Sequence, residues 1–140
     1  MFAVINLNLD EYFAPESIWF FLNQWPEGQF VAESVTGGIV GALCGARLDM
    51  GRATVSLLAV DSSVRGHGAG TSLLSALRRV CVMEGIGTIQ LEVRTGNAQA
   101  IEFYKRHGFV ITESLPHYYN DGGDGYRMVS ATYGGGISPS

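Results

Sequence analysis

The sequence predicts a single mixed α/β (α+β) domain, a β-sheet covered by helices. Three observations point there. Strand-like and helix-like patterns alternate along the chain. Residues 53–94 run strand, glycine loop, helix, strand, the pattern of a right-handed βαβ unit. And 140 residues with 46% apolar and 16% charged side chains make one hydrophobic core. That is too apolar for a disordered chain and too short for two full cores. The domain is expected over residues 1–133, with a flexible tail at Gly134–Ser140 (GGGISPS).

Each element has a local reason. Phe2–Leu9 (FAVINLNL) alternates and reads as a strand. Pro15 can open a helical first turn, so Glu16–Gln24 reads as a short helix, closed by Pro26. Gln29–Ser34 and Ile39–Arg47 are β-rich runs joined by Thr36-Gly37-Gly38, a hairpin signal. Asp49-Met50-Gly51 marks the next turn. Ala53–Val60 (ATVSLLAV) is apolar enough to be expected buried on both faces. After the glycine loop Arg65–Gly70, residues Thr71–Glu84 carry Leu73, Leu74, Leu77, Val80 and Cys81 at helical spacing, with Gly85 as the cap. Thr88–Arg94 (TIQLEVR) is a strand, and Asn97–His107 a helix followed by Gly108. Phe109–Glu113 and Tyr126–Tyr133 complete the sheet. The core is expected to include Leu58, Leu73, Leu74, Leu77, Leu91, Ile101 and Phe109.

Composition excludes several classes. The longest apolar runs, such as Ile18–Leu22, fall far short of the ~18–20 residues that span a bilayer. The start of the chain, with Asp10 and Glu11 and no basic stretch, reads as neither a signal nor a transit peptide, so a cytoplasmic protein is expected. Net charge is −4 with nine basic residues, one of them lysine (Lys105), which argues against nucleic acid as the main partner. Cys44 and Cys81 lie 37 positions apart in apolar stretches and read as buried thiols, not as a disulfide or a metal site. No metal and no membrane partner are expected. A homodimer is compatible with a sequence that does not specify oligomeric state.

The segment VDSSVRGHGAGTSLLSAL holds Gly66, Gly68 and Gly70 between a strand and a helix. Glycines permit positive φ and let a ligand approach the main chain. Exposed N–H groups at a helix N-terminus favour an anion, so the loop reads as a phosphate or pyrophosphate cradle. It is no Walker loop, because no lysine follows Gly70. It is no dinucleotide fingerprint, because Thr71 and Leu73 stand where the last glycine would be required. A plain tight turn would need fewer glycines.

Here the chain resembles the GNAT superfamily of N-acetyltransferases. R-G-H-G-A-G matches the R/Q-x-x-G-x-G/A loop that grips the pyrophosphate of acetyl-coenzyme A (acetyl-CoA). LEVRTGNAQAIEFYKRHGF (Leu91–Phe109) and HYYNDGGDGYRM (His117–Met128) resemble the blocks of the RimI-type and protein N-terminal (N-alpha) acetyltransferase branch. The three blocks cover about residues 53–130. The resemblance implies a mixed, mostly antiparallel central sheet of about six to seven strands with helices on both faces. Gly96 departs from the usual serine, and Gly123 and Gly125 from glutamate and alanine. The branch's first two helices are compressed into residues 10–24.

The resemblance also implies roles. Ile89, Leu91 and Val93 share one face of their strand, so Gln90, Glu92 and Arg94 share the other. A carboxylate there needs a cavity or a cross-strand ion pair; in the branch, Glu92 is the general base, working through water. Tyr104 reads as a core aromatic or, by resemblance, as the general acid that protonates the leaving thiolate of coenzyme A or at least holds its sulfur. Asn97, Ile101 and Tyr104 recur along one helix face. Asn97 would cap the helix or bond the pantetheine arm. Arg65, Gly66, His67, Gly68, Ala69, Gly70 and Thr71 would hold the pyrophosphate. The family's splayed strand assigns the Leu58 main chain to the thioester carbonyl and Val60 to the pantetheine. Tyr118 and Tyr119 would lie over the acceptor or simply pack on the sheet. His67 and His117 read as solvent-facing, and His107 as a helix C-terminal residue.

The expected function is acetyl transfer from acetyl-CoA to an amine, foremost the α-amine of a protein N-terminus. Such an amine, with pKa near ~7.8 against ~10.4 for lysine, needs only a weak base. The alternatives are a small-molecule amine acetyltransferase and a non-catalytic acyl-CoA-binding module.

Overall fold

A computed structural model describes residues 2–6 and 24–132. The described strands are β1 (Phe2–Asn6), β2 (Gln29–Ser34), β3 (Ile39–Leu48), β4 (Arg52–Val60), β5 (Thr88–Arg94), β6 (Val110–Leu115) and β7 (Gly125–Ala131). Two described helices, α1 (Ala69–Met83) and α2 (Ala98–Arg106), follow β4 and β5. The strands form one sheet in the order β1-β2-β3-β4-β5-β7-β6. Every pairing is antiparallel except β4 with β5. This is the mixed, mostly antiparallel sheet the sequence predicts. The expected Glu16–Gln24 helix, up to its last residue, the end of the first strand at Leu7–Leu9, Tyr133 and the tail lie outside the described residues.

The core forms where period and sheet parity agree. Leu73, Leu74, Leu77 and Cys81 of α1 are at most 1% exposed, and so are Leu43, Ile89, Leu91, Phe109 and Met128. Leu58 and Ile101, also expected inside, pack against this cluster but are only partly buried. Cys44 and Cys81 are free, buried thiols.

Both helices end on Schellman caps. In α2 the Gly108 N–H donates to the Lys105 carbonyl (3.2 Å) and the Phe109 N–H to that of Tyr104 (3.0 Å). Gly108 takes φ +90°, which a side chain would resist. The motif's apolar contact is the Tyr104–Phe109 ring pair, with centroids 5.5 Å apart. Arg78 of α1 then ties three elements together. Its guanidinium donates to the His107 carbonyl and to that of Ala131 (2.7 Å) and lies over the Phe109 ring.

One expectation fails. β4 is not buried on both faces: Ser56, Leu57 and Ala59 are exposed. The register explains it. β5 pairs with β4 only at Arg52, Ala53 and Thr54, although both strands run on. Beyond Thr54 that edge of β4 has no neighbouring strand among the described residues.

Candidate active site

The opening between β4 and β5 begins at a β-bulge. Against β3, Cys44 faces Leu57 and Gly45 faces Val55, so Ser56 is one residue too many on β4. A bulge bends its strand and increases the local twist, here just where β4 leaves β5. Strand parity then assigns the exposed main chain. The Asp61 N–H donates to the Val40 carbonyl of β3 (2.7 Å). Successive N–H groups point to opposite sides, so Ala59 shares the β3 side. Leu58 and Val60 aim their N–H groups into the gap. The Val60 carbonyl accepts from Arg65 Nε (3.3 Å), which draws that arginine to the mouth of the gap.

The glycine loop follows at once. Asp61 caps a short 3-10 turn, Ser62–Val64, accepting from the Ser63 N–H and hydroxyl at 2.9 Å each; these bonds hold its carboxyl below the usual range. Gly66 and Gly68 take φ +83° and +95°, the left-handed region, and all of Arg65–Gly68 is exposed. The His67 N–H closes on the Val64 carbonyl (3.2 Å), so His67 braces the turn and does not offer its amide. The first bond of α1 runs from the Ser72 N–H to Gly68 (3.0 Å). The N–H groups of Ala69, Gly70 and Thr71 thus precede the helical ladder and form its positive end. Gly70 has a separate reason: a Cβ there would sit 3.2 Å from the Phe103 ring, so it lets α1 and α2 pack closely.

His107, expected at a helix end, does more. It caps α2, with Nδ1 2.8 Å from the Phe103 carbonyl and Nε2 2.9 Å from the Thr71 hydroxyl. It joins the end of α2 to the start of α1 beside the loop.

Across the gap, Ile89, Leu91 and Val93 are buried on one face of β5; on the other, Glu92 is half-buried and Arg94 exposed, but Gln90 is buried as well. Glu92 has the cross-strand ion pair that a carboxylate in an apolar strand calls for. Arg127 Nε lies 2.9 Å from Glu92 Oε2, and Arg127 Nη1 pairs with Glu113. Gln90 Nε2 reaches the same Glu92 oxygen at 3.3 Å and is itself held by Arg52 (2.9 Å). Sequence reasoning missed Arg127 and Glu113. The available signal was an arginine between the apolar residues Tyr126 and Met128 of a strand, which likewise needs a partner.

Asn97 caps α2, its Oδ1 accepting from the Ala100 N–H at 3.2 Å. Tyr104 is 9% exposed and packs edge-on against Phe103 and Phe109. Burial pushes its phenol up to about 12. An open cavity of about 500 Å³ at the end of β5 is lined by Arg94, Thr95, Gly96, Asn97, Gly123 and Asp124.

Tyr118 and Tyr119 meet edge to face at 5.0 Å. Arg94 lies over the Tyr119 ring (4.2 Å) and pairs with Asp121 (3.1 Å). Burial pushes the Tyr119 phenol up, with Tyr118 adding, Arg94 opposing and the Glu92 charge adding again. The two glycine departures fit this packing. At Gly123 a side chain would strike Arg94, and at Gly125 it would press on Tyr119. His117 is exposed, as expected.

The sequence pattern of the acetyltransferase (GNAT) family matches residues 2–109. The chain is 32% identical to N-alpha-acetyltransferase 30 of Schizosaccharomyces pombe over 90% of its length and 86% of that protein. It superposes on the crystal structure of Ard1 from Thermoplasma volcanium with TM-score 0.84 and 33% identity, covering 93% of this chain and 97% of that one. Naa20 of Chaetomium thermophilum, solved with a bisubstrate analogue, gives TM-score 0.77 and 25% identity over 86% and 74% of the two chains.

Proposed function

The chain belongs to the acetyltransferase (GNAT) family and is an acetyl-CoA-dependent acetyltransferase, and from that premise we propose that its acceptor is the α-amine of a protein N-terminus. One observation carries the mechanism: β4 parts from β5 after Thr54, directly upstream of the glycine loop. Acetyl-CoA supplies the acetyl group as an activated thioester. The residues present fit it. The amides of Ala69, Gly70 and Thr71, with Gly66, Gly68 and Arg65, suit the pyrophosphate. Val60 suits the pantetheine amides, and Asn97, which caps α2 and lines the cavity at the end of β5, suits them too.

The Leu58 N–H is the donor for the negative charge that develops on the thioester oxygen. A donor in such a place is worth about 3–4 kcal/mol by analogy with side-chain donors. Glu92 takes the amine proton, directly or through water. Tyr104 serves the departing sulfur. Its acidity decides how: a phenol at about 12 is a weaker acid than a thiol at ~8.5. The hydroxyl therefore hydrogen-bonds the thiolate as it forms and gives up no proton before it. Tyr118 and Tyr119, stacked edge to face and braced by Arg94, lie over the acceptor backbone.

The names of the relatives support the acceptor class: the Schizosaccharomyces pombe protein is an N-alpha-acetyltransferase. The α-amine's ordinary pKa supports it as well, since a carboxylate is base enough for it. The test is an acceptor screen by mass spectrometry with acetyl-CoA, comparing peptides with free N-termini, polyamines and free amino acids. Acetylation confined to peptide α-amines is expected. Turnover of polyamines or amino acids alone would overturn the acceptor assignment.

A further inference from the structure

We infer that Arg127 is a positioning residue for Glu92, and that Glu113 keeps its guanidinium shared between two carboxylates. The inference rests on the reading of Glu92 as the base.

The sheet register sets out the arrangement. Arg127 of β7 is the Cα partner of Glu92 on β5 and of Glu113 on β6. Three adjacent strands thus present carboxylate, guanidinium and carboxylate in a row on one face. Arg127 Nε donates to Glu92 Oε2 at 2.9 Å, and Gln90 Nε2 approaches the same oxygen at 3.3 Å. Among the described residues no donor reaches Oε1. One oxygen is held and the other is open, which is what a proton acceptor of fixed orientation requires.

Charge balance supports the second half. Two carboxylates share one guanidinium, so the row keeps a net negative charge and Glu92 is not neutralised. The other groups nearby are already engaged. Arg94 is taken by Asp121 and Tyr119, and Arg52 by Gln90. A guanidinium suits the post because its planar fork serves two carboxylates at once, while an ammonium is a single point charge. Stability alone is a poor reason for the Glu113 arm of the row. Side-chain exposure is 28% at Arg127 and 52% at Glu113, and exposed pairs add little.

The test uses the full chain, acetyl-CoA and a peptide with a free N-terminus. Arg127→Ala should lose about 10–100-fold in kcat, the scale of a misplaced catalytic group, with the KM for acetyl-CoA unchanged. Added ethylguanidinium should restore part of that loss, which a merely structural role would not allow. Arg127→Lys should be intermediate, and it carries the test if the alanine variant does not fold. Glu113→Gln should lose less than Arg127→Ala. In a Glu92→Gln background, neither Arg127→Ala nor ethylguanidinium should change the rate. If Glu92→Gln loses turnover while the folded Arg127 variants keep it, the positioning role is overturned and the base survives. If Glu92→Gln keeps full turnover, the base reading itself fails.

Discussion

Tyr104 is a packing residue to which the proposed mechanism also gives a chemical role. Its ring is wedged against Phe103 and Phe109, and the burial that makes it a core residue also holds its phenol at about 12. The hydroxyl therefore stays protonated across the physiological range and can donate to a thiolate at any working pH. Tyr104→Phe keeps the ring and its packing, so the melting temperature should barely move. Turnover with acetyl-CoA should fall by about 10–100-fold, the scale of a lost hydrogen bond to a charged group. An acetyl donor with a more acidic thiol should recover most of that loss, because its thiolate needs less stabilisation. Equal losses with both donors, measured as kcat, would remove Tyr104 from the leaving-group role. Arg127 lies at the other extreme. Its proposed role is legible only from its neighbours, since nothing in Tyr126-Arg127-Met128 says which carboxylates it meets.

At the scale of elements, the loop and the two helix caps do separate jobs with the same amino acid. Gly68 sits at φ +95° with open space around a would-be Cβ. Gly68→Glu should leave the core intact but place a carboxylate beside the phosphates and strain the backbone. The thermal shift produced by acetyl-CoA in the wild type, by linkage, should vanish in this variant; an undiminished shift in a folded protein would sink the loop assignment. Gly108 is a structural counterpart. Its φ of +90° closes the cap that brings Phe109 onto Tyr104. Gly108→Ala should cost about 1–2 kcal/mol, the left-handed penalty for a residue with a Cβ. Denaturant titration would read this as a lower midpoint at unchanged slope. The Ser56 bulge belongs here too, because it bends β4 just where that strand leaves β5.

For the molecule as a whole, buried acids link stability to alkaline pH. Burial, with Glu84 adding and Arg78 opposing, pushes the Cys81 thiol from its ordinary 9 to about 12, and burial pushes Tyr104 from 10 to about 12. The folded state holds both protons more tightly than the unfolded chain. Below pH 9 these groups leave stability unchanged. Between pH 9 and 12 the unfolded chain releases its protons first, so stability falls as pH rises. The limiting slope is about 1.4 kcal/mol per pH unit for each group. Chemical denaturation at several pH values should show this decline, and Cys81→Ala should make it shallower. A Cys81→Ala slope equal to that of the wild type would refute the attribution to the thiol. No described helix is long and apolar enough to cross a membrane.

Local rules made much of this protein readable from its sequence alone. Period two set the apolar face of β5 apart from the face that carries Gln90, Glu92 and Arg94. Helical spacing found the buried stripe of α1, and glycine's tolerance of positive φ marked the loop and both caps. Each depends on a few consecutive residues. What the tertiary structure decided depends on register between distant strands. It set Arg127 opposite Glu92, with Glu113 beyond it, and inserted Ser56 into β4. It also ended the β4–β5 pairing at Thr54, which exposed a strand expected to be buried on both faces, and it joined His107 to Thr71 across 36 positions. A one-residue slip in register would turn the strand side chains among them to the opposite face, and no local preference in the chain determines which register is adopted.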